Sequence, residues 1–274
     1  MTFPLQGKKG LVVGIANDHS IAWGCATAFH NAGAELAVTW LNEKARPHVE
    51  PLAQQLEATL QLPLDVEQPG QLEAVFEAVT ATWGRLDFLL HSIAFAPKAD
   101  LHGRVTDSSP EGFAQAMDVS CHSFWRMARL AAPLMVDGGS LLTMSYLGAA
   151  EVVPNYGMMG PVKAALESSV RYLAAELGPQ GIRVNAVSPG PLATRAASGI
   201  AGFDRLLAEA AQQAPLRRLV SLQDVGALCA FLVGDGGRSI TGNTLYVDAG
   251  FHILGSGLSA AAAPSSATEA PHVH

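Results

Sequence analysis

Gly10-Leu11-Val12-Val13-Gly14-Ile15-Ala16-Asn17-Asp18-His19-Ser20-Ile21-Ala22-Trp23-Gly24 runs from a short apolar stretch, through a turn, into a helical pattern. Gly14 supplies the tight turn, and the residues from Ile21 onward open a helix. The N-terminus of that helix offers unpaired N–H groups and a positive dipole end, to which a phosphate can come close. Strand ends often carry a glycine, so this turn gains its weight from the rest of the chain.

Six further apolar segments repeat the theme, at residues 35–40, 61–66, 86–93, 140–145, 183–188 and 244–248. They are rich in Leu, Val and Ile and do not alternate with polar residues, as expected of parallel strands covered on both faces. Helical periodicity fills the intervals at 21–32, 50–60, 71–83, 112–134 and 163–177, and Ser221-x-x-Asp224 reads as a capping box opening a last helix. The expected fold is α/β: a single Rossmann-like domain with a doubly wound, seven-stranded parallel sheet and helices on both faces. The domain is expected to span residues 1–254. Residues 255–274 hold Gly, Ser, Ala and Pro with almost no large apolar side chain, and are expected to form a disordered tail.

Composition narrows the function. A chain of 274 residues that is 49% hydrophobic and 15% charged can bury a large core. Its formal charge of −7 includes no basic run longer than the pairs Lys8-Lys9 and Arg217-Arg218, so no nucleic-acid partner is expected. Cys25, Cys121 and Cys229 have neither framework nor metal spacing. They are read as reduced, near-core thiols, and no metal is expected, His272 and His274 in the tail being read as inert. With no apolar run long enough for a membrane span and no secretion-type leader, a cytoplasmic location is expected.

The chemistry concentrates in Ser145-Tyr146-Leu147-Gly148-Ala149 and in Asn155-Tyr156-Gly157-Met158-Met159-Gly160-Pro161-Val162-Lys163. A Tyr-x6-Lys pair, Tyr156 with Lys163, is present, while position 160, where Tyr-x3-Lys would need a lysine, holds Gly160. Seven residues are almost two helical turns, so a helical Lys163 stays on the side of Tyr156. Pro161 disfavours α geometry at Gly160, and a regular helix is expected to begin at Pro161. The chain has four tyrosines, and the pair Tyr146-x9-Tyr156 beside this lysine is hard to attribute to packing.

These residues resemble the enoyl-acyl-carrier-protein reductases of the short-chain dehydrogenase/reductase class. The resemblance extends from about Leu5 to Leu254 and takes in the turn Gly14-x5-Ser20-Ile21-Ala22-x-Gly24. It also includes Arg183-Val184-Asn185-Ala186-Val187-Ser188, Gly190-Pro191-Leu192 and Ile240-Thr241-Gly242. It implies hydride transfer from NADH to the β-carbon of a trans-2-enoyl thioester on acyl carrier protein, in fatty acid elongation, by a homotetramer.

Carried over residue by residue, the resemblance makes Tyr156 the hydrogen-bond donor to the developing enolate. Lys163 becomes the cofactor's ribose anchor, and Tyr146 a supporting group near the thioester. Gly14, Ser20, Ile21, Leu41, Asp65, Val66, Ser92, Ile93 and Ala94 are expected along the cofactor, with Leu192 and Thr194 at the nicotinamide amide and pyrophosphate. Ala96, Tyr146, Tyr156, Met159, Ile200, Phe203 and Leu206 are expected at the acyl chain, residues 197–207 forming a lid. Departures from the family pattern are Leu41, Ala94 in place of glycine, Ala193, Arg195 and Pro161.

Two further points bear on cofactor and reaction. Trp40-Leu41-Asn42 ends the second strand with neither an acid for the ribose 2′-hydroxyl nor an arginine for a 2′-phosphate. NADH is therefore expected over NADPH, with Glu43 in reach of the ribose and Lys44 and Arg46 as alternative cations. The rival readings are a carbonyl or β-ketoacyl reductase of the same fold, which should carry Tyr-x3-Lys and a serine at the position of Thr143, and a dinucleotide-binding sensor without catalysis.

Overall fold

The computed structural model describes residues 4–101, 103–194 and 203–254, residues 203 and 204 as backbone alone. In chain order the elements are β1 (Lys9–Val13), α1 (Ile21–Asn31), β2 (Glu35–Trp40), α2 (Arg46–Gln55), β3 (Leu60–Pro63), α3 (Gln71–Trp83) and β4 (Phe88–His91). A short α4 (Lys98–Leu101) and α5 (Pro110–Met117) come next, then a π-helical segment (Asp118–His122), α6 (Ser123–Ala131), β5 (Gly139–Met144) and α7 (Met159–Leu177). The chain continues with β6 (Ile182–Pro189), α8 (Phe203–Gln213), α9 (Leu222–Val233) and β7 (Thr244–Val247).

All seven strands lie in one sheet of order β3-β2-β1-β4-β5-β6-β7, and every pairing is parallel. Two apolar layers cover it, one around Leu11, Phe124 and Leu166, the other around Val12, Phe29 and Phe88. Burial of a large side chain such as Phe88, which meets Phe29 at 4.7 Å between ring centroids, contributes about 1.5–3 kcal/mol. The chain reverses its direction of travel across the sheet between β1 and β4. In such sheets that crevice, at the carboxyl ends of the strands, receives the ligand.

The capping box forms as expected: the Ser221 hydroxyl accepts from the Asp224 N–H, and the Asp224 carboxylate accepts from the Ser221 N–H. Three helical limits differ from the sequence expectation. The second helix occupies Arg46–Gln55, not 50–60. Asn42 turns the chain early by accepting from the N–H groups of Lys44 and Ala45, Pro47 suits the first turn, and Glu57 at φ 49° ends the run so that Leu60 joins β3.

The pattern over 112–134 is split. Ser109 caps α5 by accepting from the Gly112 N–H, the π segment interrupts, and Pro133 closes a 3₁₀ turn after Ala131. Finally, α7 starts at Met159, ahead of Pro161. In the third helical position Pro161 gives up an N–H that has no intrahelical acceptor there, so the turn forms around it.

Candidate active site

The turn after β1 is held by side chains. Ser20 Oγ accepts from the N–H groups of both Ala16 and Asn17 at 3.0 Å, and the Asn17 carboxamide accepts from the His19 N–H. Gly14 has φ +117°, and a Cβ there would stand 2.2 Å from the Ser92 carbonyl oxygen, so this position admits only glycine. The close approach sets the end of β4 beside the start of α1, where Ile21 faces the crevice.

A cavity of about 340 Å³ opens at the carboxyl ends of β4, β5 and β6. Its walls bring together Ile21, Ser92, Ile93, Ala94, Ala96, Tyr146, Tyr156, Met159, Lys163, Leu192 and Thr194, all expected there from the sequence. Phe95, Leu101, Met144, Ser145 and the run Pro189-Gly190-Pro191 complete it, and most of these flank the same motifs.

Gly14, Ser20, Leu41, Asp65, Val66 and Leu206 do not line this cavity. Leu41 is 55% exposed after β2, and the Asp65 carboxylate accepts from the Glu67 N–H. Val66 is buried in the core, its carbonyl accepting from Arg126, so its side chain is withdrawn from any ligand. Leu206 sits half-buried on α8. Ile200, the Phe203 side chain, the first part of the expected lid and the tail at 255–274 lie outside the described residues.

Lys163 falls on the buried stripe of α7, in step with Met159, Val162, Leu166 and Val170. An ammonium there needs a partner, and its Nζ donates to the Met144 carbonyl at 2.7 Å. Burial pulls its pKa down to about 8, with neighbouring Cys121 and Glu167 opposing the fall. The rings of Tyr146 and Tyr156 meet edge to face at 4.8 Å. Burial pushes Tyr146 up to about 12 and raises Tyr156 further, Tyr146 and Glu167 adding to the burial. Both phenols are therefore protonated donors at neutral pH, and Tyr146 Oη is buried with no partner among the described residues.

Behind the wall lies a layer of polar contacts that no spacing rule revealed. His91 is buried, with Nδ1 2.8 Å from Thr143 Oγ1 and Nε2 2.8 Å from Ser123 Oγ. Ser123 donates its own proton to the Val119 carbonyl, so it accepts from His91 Nε2–H, and Nδ1 then accepts from Thr143. Burial, with Lys163 adding, drives the His91 pKa down to about 3, and the ring is neutral. Ser120, in the π segment, accepts from the Phe95 N–H and donates to the Phe95 carbonyl, fixing the wall from Ala94 to Ala96. π turns often serve such re-aiming of side chains.

The cleft suits a dinucleotide: a buried lysine, two protonated tyrosines and an unpaired Tyr146 hydroxyl share one crevice at the switch point with Ile21, the first residue of the helix that follows the glycine turn. Fold and site together define a nucleotide-dependent oxidoreductase of the short-chain dehydrogenase/reductase class.

Similarity to known proteins narrows the class. The family described as Enoyl-(Acyl carrier protein) reductase matches residues 14–252. The chain is 48% identical to the NADH enoyl-acyl-carrier-protein reductase of Synechocystis, with 92% of this chain and 98% of that protein covered. It is 47% identical to enoyl-acyl-carrier-protein reductase (NADH) 1 of Rhizobium meliloti, with 92% of each covered. Among solved structures, the Bacillus cereus reductase with NADP+ and an indole naphthyridinone superposes with TM-score 0.90 at 45% identity, covering 92% of this chain and 99% of that one. The Anaplasma phagocytophilum reductase in complex with NAD gives 0.89 at 47%, covering 93% and 97%. The chain belongs to the enoyl-acyl-carrier-protein reductase family.

Proposed function

We propose that this protein is an NADH-dependent enoyl-acyl-carrier-protein reductase of fatty acid elongation, with Tyr156 and Lys163 at its reaction centre. The observation that carries the reading is the convergence of Tyr146, Tyr156 and the buried Lys163 on one apolar cavity at the dinucleotide crevice. When bound, NADH supplies the hydride that reaches the β-carbon of the trans-2-enoyl thioester. Gly14, Ser20 and Ile21 would hold the pyrophosphate, Asp65 and the backbone of Val66 the adenine, and Leu41 the adenosine side. Ser92, Ile93, Ala94 and Lys163 would hold the ribose and nicotinamide, with Leu192 and Thr194 at the nicotinamide amide and the pyrophosphate.

Negative charge develops on the thioester oxygen as the β-carbon is reduced. A protonated Tyr156 donates a hydrogen bond to that oxygen, and the Lys163 ammonium stabilises the same charge. Tyr146 orients the thioester through its otherwise unpaired hydroxyl. Phe95, Leu101, Met144 and Pro191 keep water from the reacting atoms, and Ala96 and Met159 border the acyl chain. Ile200, Phe203 and Leu206 would continue that border.

NADH is favoured over NADPH because Arg46, a cation close to the end of β2, is already engaged. It lies over the Trp40 ring at 5.3 Å and pairs with Glu43 at 3.6 Å and Glu50 at 3.4 Å. The carbonyl-reductase alternative loses ground because Thr143, at the position of the expected serine, is wholly buried and committed to His91. Oxidation of NADH in the presence of a trans-2-enoyl thioester, but not of a β-keto thioester, is the deciding assay.

Exposed Trp125 on α6 and Tyr172 on α7 support assembly into a homotetramer, which light scattering would test. Among the described residues no helix is long and apolar enough to cross a membrane. Three free, buried cysteines accord with a reducing cytoplasm.

A further inference from the structure

Helix α7 touches the end of β5 through two side chains one turn apart. Lys163 donates to the Met144 carbonyl at 2.7 Å, and Glu167 Oε1 accepts from the hydroxyl of the next residue, Ser145, at 2.5 Å. Ser145 is buried, its N–H donates to the Val187 carbonyl of β6, and Tyr146 comes directly after it. Glu167 itself is half-buried and is not part of the cavity wall. A carboxylate taken partly out of water and bonded to a buried hydroxyl fixes geometry more tightly than a solvated surface pair does.

We propose that Glu167 is a positioning residue for the reductase reaction, holding Ser145 so that the strand end bearing Tyr146 stays clamped to the helix bearing Lys163. The inference rests on the assignment of Tyr156 and Lys163 to the reaction centre. Charged and titratable groups face this carboxylate from several elements: Lys163 on its own helix, Tyr156 on the preceding loop and Tyr246 on β7. Lys163 in turn faces His91 of β4 and Cys121 of the π segment. The carboxylate thus also favours the charged form of Lys163 against the burial that lowers it.

The test compares Glu167→Ala, Glu167→Gln, Ser145→Ala and the double alanine variant, with Tyr156→Phe alongside, on crotonyl thioester and NADH. Each alanine variant should lower kcat about tenfold, the scale of a small misplacement of reacting groups. The double variant should be no worse than either single one, because both remove the same contact. Glu167→Gln keeps an oxygen acceptor and should recover most of kcat. Its alkaline limb should nevertheless move to lower pH, because the charge that supports Lys163 is gone.

Native kcat in Glu167→Ala, or losses that multiply in the double variant, overturn the proposal. If the alanine variants melt below the assay temperature, Glu167→Gln decides alone, and an unshifted alkaline limb is then the overturning result. Impaired Tyr156→Phe beside a native Glu167→Ala refutes only the role of Glu167, whereas a fully active Tyr156→Phe refutes the site assignment on which it rests.

Discussion

Gly148 lies flat against the ring of Tyr156: a Cβ added to it would stand 2.4 Å from Cδ1 and 2.7 Å from Cε1. The 3₁₀ turn at Leu147–Ala149 therefore forms the back wall that sets the angle of the phenol. Gly148→Ala should force the ring aside, lowering kcat on enoyl thioester at least tenfold. Overpacking of this kind costs about 1–3 kcal/mol of stability. Steady-state kinetics and thermal melts on one preparation check both, and a native kcat would show that the ring angle does not matter.

The two partners of the Tyr-x6-Lys pair should separate kinetically. Tyr156→Phe removes the donor to the developing charge and should lower kcat about a hundredfold or more while NADH still binds. Lys163→Ala should chiefly weaken NADH, as read by calorimetry, and equal affinity in native and variant protein refutes the ribose assignment. The lowered pKa of Lys163 adds a pH signature, because its ammonium is present below about pH 8 and is lost as pH rises through that value. NADH affinity should hold up to about pH 8 and then fall, by at most about tenfold per unit if only the ammonium binds. Titration of cofactor fluorescence from pH 6 to 9.5 should show that decline in native protein and not in Lys163→Ala.

For His91 the sign is that of a buried neutral base. Its folded pKa of about 3 lies below its unfolded value near 6.5, so the unfolded chain takes up the extra proton. Stability is complete above about pH 6.5 and declines as pH falls from there toward about 3. At pH 4.5 the loss from this group is of the order of 2–3 kcal/mol. Urea melts of native protein and of His91→Gln at pH 7 and 4.5 should differ in slope with pH, the variant being the flatter.

The cofactor preference rests on Arg46 being held by acids. NADH should exceed NADPH in kcat/KM by tenfold or more, about 1.4 kcal/mol of discrimination. Leu41→Arg, adding a cation on an exposed position after β2, should narrow the gap. A native preference for NADPH would mean that Lys44 or Arg46 is free to take a 2′-phosphate.

Ala94, which the resemblance marks as standing in place of a glycine, lines the cavity beside the wall fixed by Ser120 and Phe95. Ala94→Gly should tighten binding of flat aromatic ligands in this cavity, an indole naphthyridinone being the probe, roughly ten- to hundredfold, the equivalent of relieving one overpacked contact. Enoyl turnover should change little. Unchanged affinity for the probe in the presence of oxidised cofactor would remove Ala94 from that wall.

The sequence by itself determined what depends on local pattern. All seven strands, the turn at Gly14 and the capping box of Ser221 and Asp224 were legible, because apolar runs and caps act within a few residues; Tyr146, Tyr156 and Lys163 were legible as a motif, although Tyr156 lies on the loop before α7 and helical spacing does not set its place beside Lys163. Only the tertiary structure decided the rest. It started α7 at Met159 despite Pro161, split one long helical pattern with a π segment, and withdrew the Val66 side chain into the core. It also joined His91 to Thr143 and Ser123, and Ser145 to Glu167, across separations of 52, 32 and 22 residues. Such pairs leave no spacing signal, because strand register and the packing of helices on the sheet choose the partner. A buried polar group then has to bond with whatever polar group that packing delivers.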